Sequence, residues 1–281
     1  MPITPSPLRY PGGKTKNYEY VKRILDLNNL HGTYIEPFAG GAGLALKLLL
    51  NNDVSRIVIN DSDPAIYAFW RTVLSYPEEL CKFVEEIPLN YTEWQKQRNI
   101  YFNQADYTDL EVGKATLYLN RTNMSGVIKG GIIGGTEQTG RYKMDARFNR
   151  TDLIAKIIRI AEQKEFIDLY HLDVFEFIKA PIRHYYKAFI NFDPPYVNKG
   201  GQLHMSFFGV EDHVQLEKAI SLCKRKWMVT YDNCELISNL YSRYRKGYID
   251  VTYSANGSRK AQELVFFSDN LQIPEELLSN G

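Results

Sequence analysis

Cysteine is scarce in this chain, and none of it is paired in sequence. Cys81, Cys223 and Cys234 make an odd count with no CxxC spacing, which argues against a disulfide framework or a zinc ribbon. Such a chain suits a reducing cytosol, so a cytoplasmic location is the expectation. No stretch approaches the roughly 18 consecutive apolar residues of a membrane-spanning helix, and no membrane association is expected. The opening "MPITPSPLRYPGG" lacks the apolar segment of a signal peptide. No cluster of metal-ligating residues stands out, and no metal is expected. Charge of one sign is missing too. Lys and Arg number 34 against 33 Asp and Glu, for a net +1. That excludes a highly basic packaging protein but leaves room for a local nucleic-acid groove. Internal repeats and low-complexity tracts are absent. Tyrosine is abundant, at 20 residues, yet it suits both base stacking and strands and decides nothing by itself.

What is present is enough for a sizeable core: 281 residues, 44% of them hydrophobic, fit one large α/β domain or a core with an insertion. β-branched and aromatic runs predict strands at 33–36, 56–60, 166–171, 188–192, 227–231, 247–254 and 263–268. Helical patterns lie between most of them, such as "GLALKLLLNN" and "VEDHVQLEKAISLCK". Such alternation predicts a mostly parallel sheet covered on both faces. Only "ANGSRKAQ" separates the last two strands, too little for a crossover helix, so they should form an antiparallel hairpin.

No core strand is evident between Asp63 and Glu165, where helices are expected near 64–74, 78–86 and 92–103. A glycine-rich stretch, "SGVIKGGIIGGTEQTGRYK", follows, and a loop this long is functional or disordered as a rule. Residues 76–150 are therefore read as an insertion, with 1–75 and 151–281 as the core. Between 121 and 150 the bases Arg121, Lys129, Arg141, Lys143, Arg147 and Arg150 face only Glu137 and Asp145. Six minus two gives +4, so the positive charge is local. A solvated flexible loop is the plainer alternative.

"YIEPFAGGAGLAL" (34–46) reads as strand, glycine turn and helix start. It fits neither GxxxxGK[ST] nor GxGxxG. Glycines let backbone approach a ligand closely, at the strand end where open α/β sheets bind ligands. Glu36 just before them would repel a pyrophosphate and welcome a cation. Asp61 closes the second strand, where an acid can accept from ribose hydroxyls. A positively charged nucleoside cofactor without phosphate, S-adenosylmethionine, suits this pair. The alternative is a tight turn with structural glycines.

The tetrapeptide "DPPY", Asp193, Pro194, Pro195 and Tyr196, follows the buried run "AFINF". By average residue usage it arises by chance in about one chain in a thousand of this length. A proline-stiffened turn is the plain reading. Each proline, however, fixes its own φ and restrains the residue before it. The Asp193 carboxylate and nearby carbonyls become a rigid set of acceptors beside a flat ring. That suits an exocyclic amine on a planar base, whose two hydrogens would be held while its lone pair localises on nitrogen. An ordinary Asp, with a pKa of about 3.9, is a weak base toward an amine. Its contribution would be orientation and placed dipoles, with the proton taken as or after a methyl arrives.

"RYPGGK" (9–14), "EPFAGGAG" (36–43), "NDSD" (60–63) and "DPPY" (193–196) stand in an order that resembles the Dam-like class of DNA adenine N6-methyltransferases of restriction-modification type. "LNRTNMSGVIKGGIIGG" (119–135) is similar to the stretch preceding target recognition in many members. The resemblance covers Leu8 to about Ser268. It implies an α/β fold: a seven-stranded Rossmann-like methyltransferase sheet with an antiparallel terminal hairpin and an inserted, mainly helical target-recognition domain at 76–150. It also implies S-adenosylmethionine as cofactor, double-stranded DNA as partner, a monomer, and a cognate restriction endonuclease as candidate partner. Tyr10 and Lys14 would line the pocket. Glu36, Pro37, Phe38, Gly40 and Gly41 would cradle the methionine part, and Asp61 would hold the ribose. Asp173 would meet the cofactor adenine with Val174 packing on it, although Asp173 equally suits a helix N-cap before "VFEFI". Asp193 to Tyr196 would be the catalytic loop, with Asp193 also near the cofactor. Tyr10 stands where many members have Trp, and Met124 where Phe is common.

An amine inside a duplex cannot reach an enclosed methyl donor, so base flipping is expected. Arg121, Asn123, Lys129, Arg141, Lys143, Arg259 and Lys260 are the residues expected to meet DNA. Other readings are a cytosine-N4 or RNA-adenine methyltransferase, a catalytically silent DNA-binding protein of the same fold, and a nicotinamide-binding protein. Asp at the first tetrapeptide position favours adenine over cytosine N4, where Ser is more usual, and the GxGxxG spacing of a nicotinamide site is missing. Replacing Arg259 and Lys260 together by alanine is expected to weaken binding to every DNA sequence and flatten its salt dependence; unchanged affinity across a salt titration would remove that loop from the interface.

Overall fold

The computed structural model describes residues 4–9, 14–197, 208–253 and 259–278. Seven strands form one sheet: β1 (Thr33–Glu36), β2 (Arg56–Asn60), β3 (Ile167–Tyr170), β4 (Ala188–Phe192), β5 (Lys226–Asp232), β6 (Arg245–Tyr253) and β7 (Arg259–Phe267). Their order is β3-β2-β1-β4-β5-β7-β6. The first five pair in parallel, while β7 runs antiparallel to both β5 and β6. The expected terminal hairpin is therefore present, and each expected strand lies within a few residues of its predicted place. β7 starts earlier than the apolar run at 263 suggested, because hairpin pairing with β6 extends it to Arg259.

Both faces of the sheet are covered, which is why the central strands are apolar throughout. On one face α1 (Tyr18–Asn28), α2 (Gly43–Leu50) and α3 (Pro64–Ser75) pack over Tyr34, Ile57, Ile59, Phe189 and Met228. On the other α8 (Val174–Lys179), α9 (Val210–Ser221) and α10 (Glu235–Leu240) cover Ile35, Val58, Ile190, Phe192, Val229 and Tyr231. A last short helix, α11 (Glu275–Leu278), follows β7. Local chemistry sets the helix starts. Asp63 accepts from the Ala65 amide at 2.9 Å with Pro64 in the first turn of α3, a standard N-cap arrangement.

Between α3 and β3 lie α4 (Pro77–Glu86), α5 (Tyr91–Phe102), α6 (Asp109–Thr122) and α7 (Arg150–Ala161). Thr108 and Glu111 form a capping box at the start of α6. The segment read as an insertion has no core of its own. Leu80, Val84, Trp94, Tyr101, Val112 and Leu117 join the same apolar cluster as Leu44, Ile57 and Phe69. The last eleven residues of α6 are almost all buried around its whole circumference, so this helix is a central pillar. Gly113 permits its contact with α3: a Cβ there would sit 2.2 Å from Thr72 Oγ1 and 2.7 Å from the Ala68 carbonyl. Gly113→Ala should therefore lower the melting temperature by several degrees, although helix propensity alone favours alanine by about 1 kcal/mol. A raised melting temperature would show that α3 and α6 can part at no cost.

Candidate active site

β1 to β5 run the same way, so their carboxyl ends share one edge, and the strand order reverses between β1 and β4. Crevices at such a reversal are where open α/β sheets bind ligands. Glu36 ends β1, Asp61 follows β2, Asp173 follows β3, Asp193 follows β4, and Asp232 ends β5. The two-residue alternation of a strand then selects a face. Ile35, Ile190 and Val229 point into the α8–α9 core. Tyr34 and Glu36, Asn191 and Asp193, and Thr230 and Asp232 alternate with them, on the opposite side. The result is a polar layer at one end of an otherwise apolar face.

Within that layer Asn191 Nδ2 donates to the Tyr34 hydroxyl at 2.9 Å, and Tyr34 donates to Glu36 Oε1 at 3.1 Å. Glu36 is 6% exposed. Burial, reinforced by the charge of Asp193, pushes its carboxyl up to about 8, against the pull of Tyr34 and the Ala45 amide. Asp61 is pushed up to about 7 by burial and by Asp63. Among the described residues no lysine or arginine contributes to either shift. Asn191 Oδ1 is buried with no hydrogen-bond partner. Among the described residues the layer thus presents a set of acceptors that fits a ligand carrying positive charge and N–H groups.

The glycine turn is braced from three sides. Gly40 has φ +46°, a conformation that favours glycine. Its N–H donates to Asp61 Oδ2 at 2.7 Å, and its carbonyl accepts from Trp70 Nε1 at 2.9 Å. Asp61 Oδ1 accepts from the Asp63 amide at 2.9 Å. Asp61 therefore braces the turn that holds Pro37, Phe38, Gly40 and Gly41. Asn60, not singled out from the sequence, is the hub of this edge. Its Nδ2 donates to the carbonyls of Pro37 and Leu172, both at 3.0 Å, and its Oδ1 accepts from the Leu172 amide at 3.0 Å. A buried asparagine closing an apolar strand was the signal available for it. Asp173 accepts from the Phe175 amide at 2.8 Å and caps α8, so the N-cap reading holds. Val174 beside it is buried among Phe177 and Ile190.

Asp193, Pro194, Pro195 and Tyr196 leave β4 along β5. Thr230 Oγ1 donates to Asp193 Oδ1 at 2.9 Å, and the Val197 amide donates to Asp232 Oδ1 at 3.2 Å. The Tyr196 and Tyr231 rings lie 6.4 Å apart, tilted by 39°. Thr230 and Asp232 were also missed by sequence reasoning. Tyr10 lies outside the described residues. The backbone of Lys14 opens a 3-10 turn, Lys14–Asn17, whose Thr15 closes on the start of α2. A Cβ on Gly43 would fall 2.5 Å from Thr15 Oγ1. The side chain of Lys14 lies outside the described set, as do those of Arg259 and Lys260, whose backbone is in β7.

Two of the residues expected to touch DNA are turned inward. Arg121 is 8% exposed, with Nε donating to the Pro7 carbonyl at 2.6 Å. Burial and the nearby Arg9 guanidinium push its pKa down to about 10. Asn123 is fully buried, accepts from Trp94 Nε1 at 2.7 Å and donates to the Ile128 carbonyl at 2.7 Å. The end of α6 that carries both is packed on every side, so they hold the loop rather than face outward. Asn120 does the same for the N-terminal segment: it accepts from the Arg9 amide at 2.7 Å and donates to the Arg9 and Gly126 carbonyls. Arg141 and Lys143 are exposed, Arg141 lying over the Tyr142 ring, while Lys129 and the exposed Met124 sit in the same loop.

Residues 10–255 match the family model described as D12 class N6 adenine-specific DNA methyltransferase. The chain belongs to that family. The Type II methyltransferase M.CviBI of Paramecium bursaria Chlorella virus NC1A is 26% identical over 250 residues, 88% of each chain. The Type II methyltransferase M.MjaIII of Methanocaldococcus jannaschii is 23% identical over 212 residues, 67% of this chain and 68% of the relative. The protein is thus a sequence-specific adenine-N6 DNA methyltransferase. Its family uses S-adenosylmethionine in general, and DNA is its substrate. Among the described residues no helix of this methyltransferase is long and apolar enough to cross a membrane.

The raised carboxyls have a measurable consequence. Glu36 rises from 4.5 to about 8 on folding, so the folded state binds the proton more tightly than the unfolded chain. Stability is then lost as pH rises from the unfolded value through the folded one. The ligand-free methyltransferase should melt at a lower temperature at pH 8.5 than at pH 6. Glu36→Gln should flatten that slope without removing it, since Asp61 contributes in the same sense. Differential scanning fluorimetry across this range checks it; a melting temperature that climbs with pH would contradict the burial of Glu36 in a setting that raises its proton affinity.

Proposed function

We propose that the crevice between β1 and β4 holds S-adenosylmethionine against the Glu36 side and a flipped target adenine against Asp193. The observation that carries this reading is the placement of Glu36 and Asp193 on one face of the β1–β4 edge at the order reversal, with Asp193 two residues beyond Asn191, the neighbour of Glu36 in register, and near enough for its charge to act on the Glu36 carboxyl. S-adenosylmethionine, when bound, supplies an electrophilic methyl on a positively charged sulfur. Glu36 and the turn from Pro37 to Gly41 would hold its methionine part, with Glu36 in its charged form. Asp61 would accept from the ribose hydroxyls with the lone pairs its backbone amides leave. Asp173 and Val174 would border the adenine of the cofactor, and Tyr10 and Lys14 would close the pocket.

On the substrate, the Asp193 carboxylate and the Pro194 carbonyl accept the two hydrogens of the adenine N6 amine. Held so, the nitrogen lone pair leaves conjugation with the ring and points at the methyl. The carboxylate stabilises the positive charge that develops on nitrogen and takes the proton as the bond forms. Tyr196 stacks on the extruded base, the arrangement by which enzymes hold flipped bases. Lys129, Arg141 and Lys143, with Arg259 and Lys260, would meet the phosphates; Arg121 and Asn123 act behind that surface as braces. The names of the two relatives support a place in a restriction-modification system, with an endonuclease of matching specificity as partner. A monomer in the cytoplasm suffices for this chemistry.

Asp193→Ala should lower methyl transfer at least about 10²–10³-fold while leaving binding of S-adenosylmethionine within a few fold. Digestion of DNA methylated by the wild type should yield N6-methyl-2′-deoxyadenosine. Transfer at the wild-type rate by Asp193→Ala, or N4-methyl-2′-deoxycytidine as product, would overturn the reading.

A further inference from the structure

The tetrapeptide cannot anchor itself. Two of its four residues are prolines with no N–H to donate, yet the first must present a carboxylate in one orientation. The structure assigns that task to Thr230 on β5: it is a positioning residue that fixes the plane of the Asp193 carboxylate. This rests on the reading of Asp193 as the group that meets the adenine amine.

The register explains the contact. Phe192 pairs with Val229 across β4 and β5, so the next residue of each strand, Asp193 and Thr230, falls side by side on the same face. Thr230 is fully buried, and its Oγ1 lies 2.9 Å from Asp193 Oδ1 but 3.5 Å from the Phe192 carbonyl, so its single proton goes to the carboxylate. With Oδ1 fixed at that point, the direction of Oδ2 is fixed as well. Two residues on, and on the same face of β5, Asp232 accepts from the Val197 amide at 3.2 Å, the first amide after the prolines apart from Tyr196. The loop is thereby gripped at both ends by alternate side chains of one strand. β5 is a central strand, paired on one side by β4 and on the other by β7, so the grip is mounted on a part of the fold that moves little. Threonine is also the right size for a test, because valine keeps its shape and removes only the hydroxyl.

Thr230→Val should reduce the single-turnover methylation rate, at saturating DNA and S-adenosylmethionine, by about 10- to 100-fold, as expected of a displaced reacting group. The dissociation constant for S-adenosylmethionine should stay within about twofold, and Thr230→Ser should recover most of the rate. If Thr230→Val does not fold, Thr230→Ala removes the same hydroxyl and carries the same expectation. With Asp193→Ala inactive, a Thr230→Val enzyme at the wild-type rate overturns the inference. So does a Thr230→Ser enzyme as slow as the valine variant, or loss of S-adenosylmethionine binding in step with rate, since each makes the role one of packing. An active Asp193→Ala enzyme instead brings down the reading of the catalytic loop itself.

Discussion

Two carboxyl groups that belong on the same small patch govern this molecule. β1 and β4 are neighbours although about 150 residues separate them in sequence, and they present Glu36 and Asp193 on one face at the crevice. Burial and mutual repulsion raise the proton affinity of Glu36 to about 8. Without a ligand the patch lowers its energy by keeping a proton. A cation with N–H groups replaces that proton and satisfies the acceptors at the same time. The proposed ligands, a methyl donor and an adenine amine, would carry those two properties, one on each side of the patch.

A second constraint follows from how the site loops are made. A turn of glycines and a corner of prolines have the required shapes, and side chains outside them supply bracing. Their order comes from side chains mounted on strands and helices nearby: Asn60 and Asp61 for the glycine turn, Thr230 and Asp232 for the acidic corner. Asn120 plays the same part for the segment that leads into residues 10–13. Rigid elements thus carry the precision, and the loops carry the chemistry.

The strands, their mostly parallel arrangement and the terminal hairpin were legible because periodicity and linker length are local properties. The acids at strand ends were legible because a charge closing an apolar run is conspicuous. Asn60, Asn120 and Thr230 were not, since each acts on a partner from a distant part of the chain: about 110 residues away for the first two and 37 for Thr230. Their partners depend on strand order and register, which a single sequence does not display. The burial of Arg121 and Asn123 was hidden for the converse reason. A count of local charge gives +4 over 121–150 but is blind to burial, and the end of α6 is enclosed on all sides. Through the same enclosure residues 76–150 share the core of the sheet.

The most direct test is a crystal structure with a non-reactive S-adenosylmethionine analogue and duplex DNA containing the methylated site. The expected result is an unstacked adenine whose N6 lies within hydrogen-bond distance of the Asp193 carboxylate and the Pro194 carbonyl, in line with the analogue. The analogue's amino-acid end should lie beside Glu36. An adenine still paired in the duplex, or an analogue bound away from the β1–β4 crevice, would contradict it.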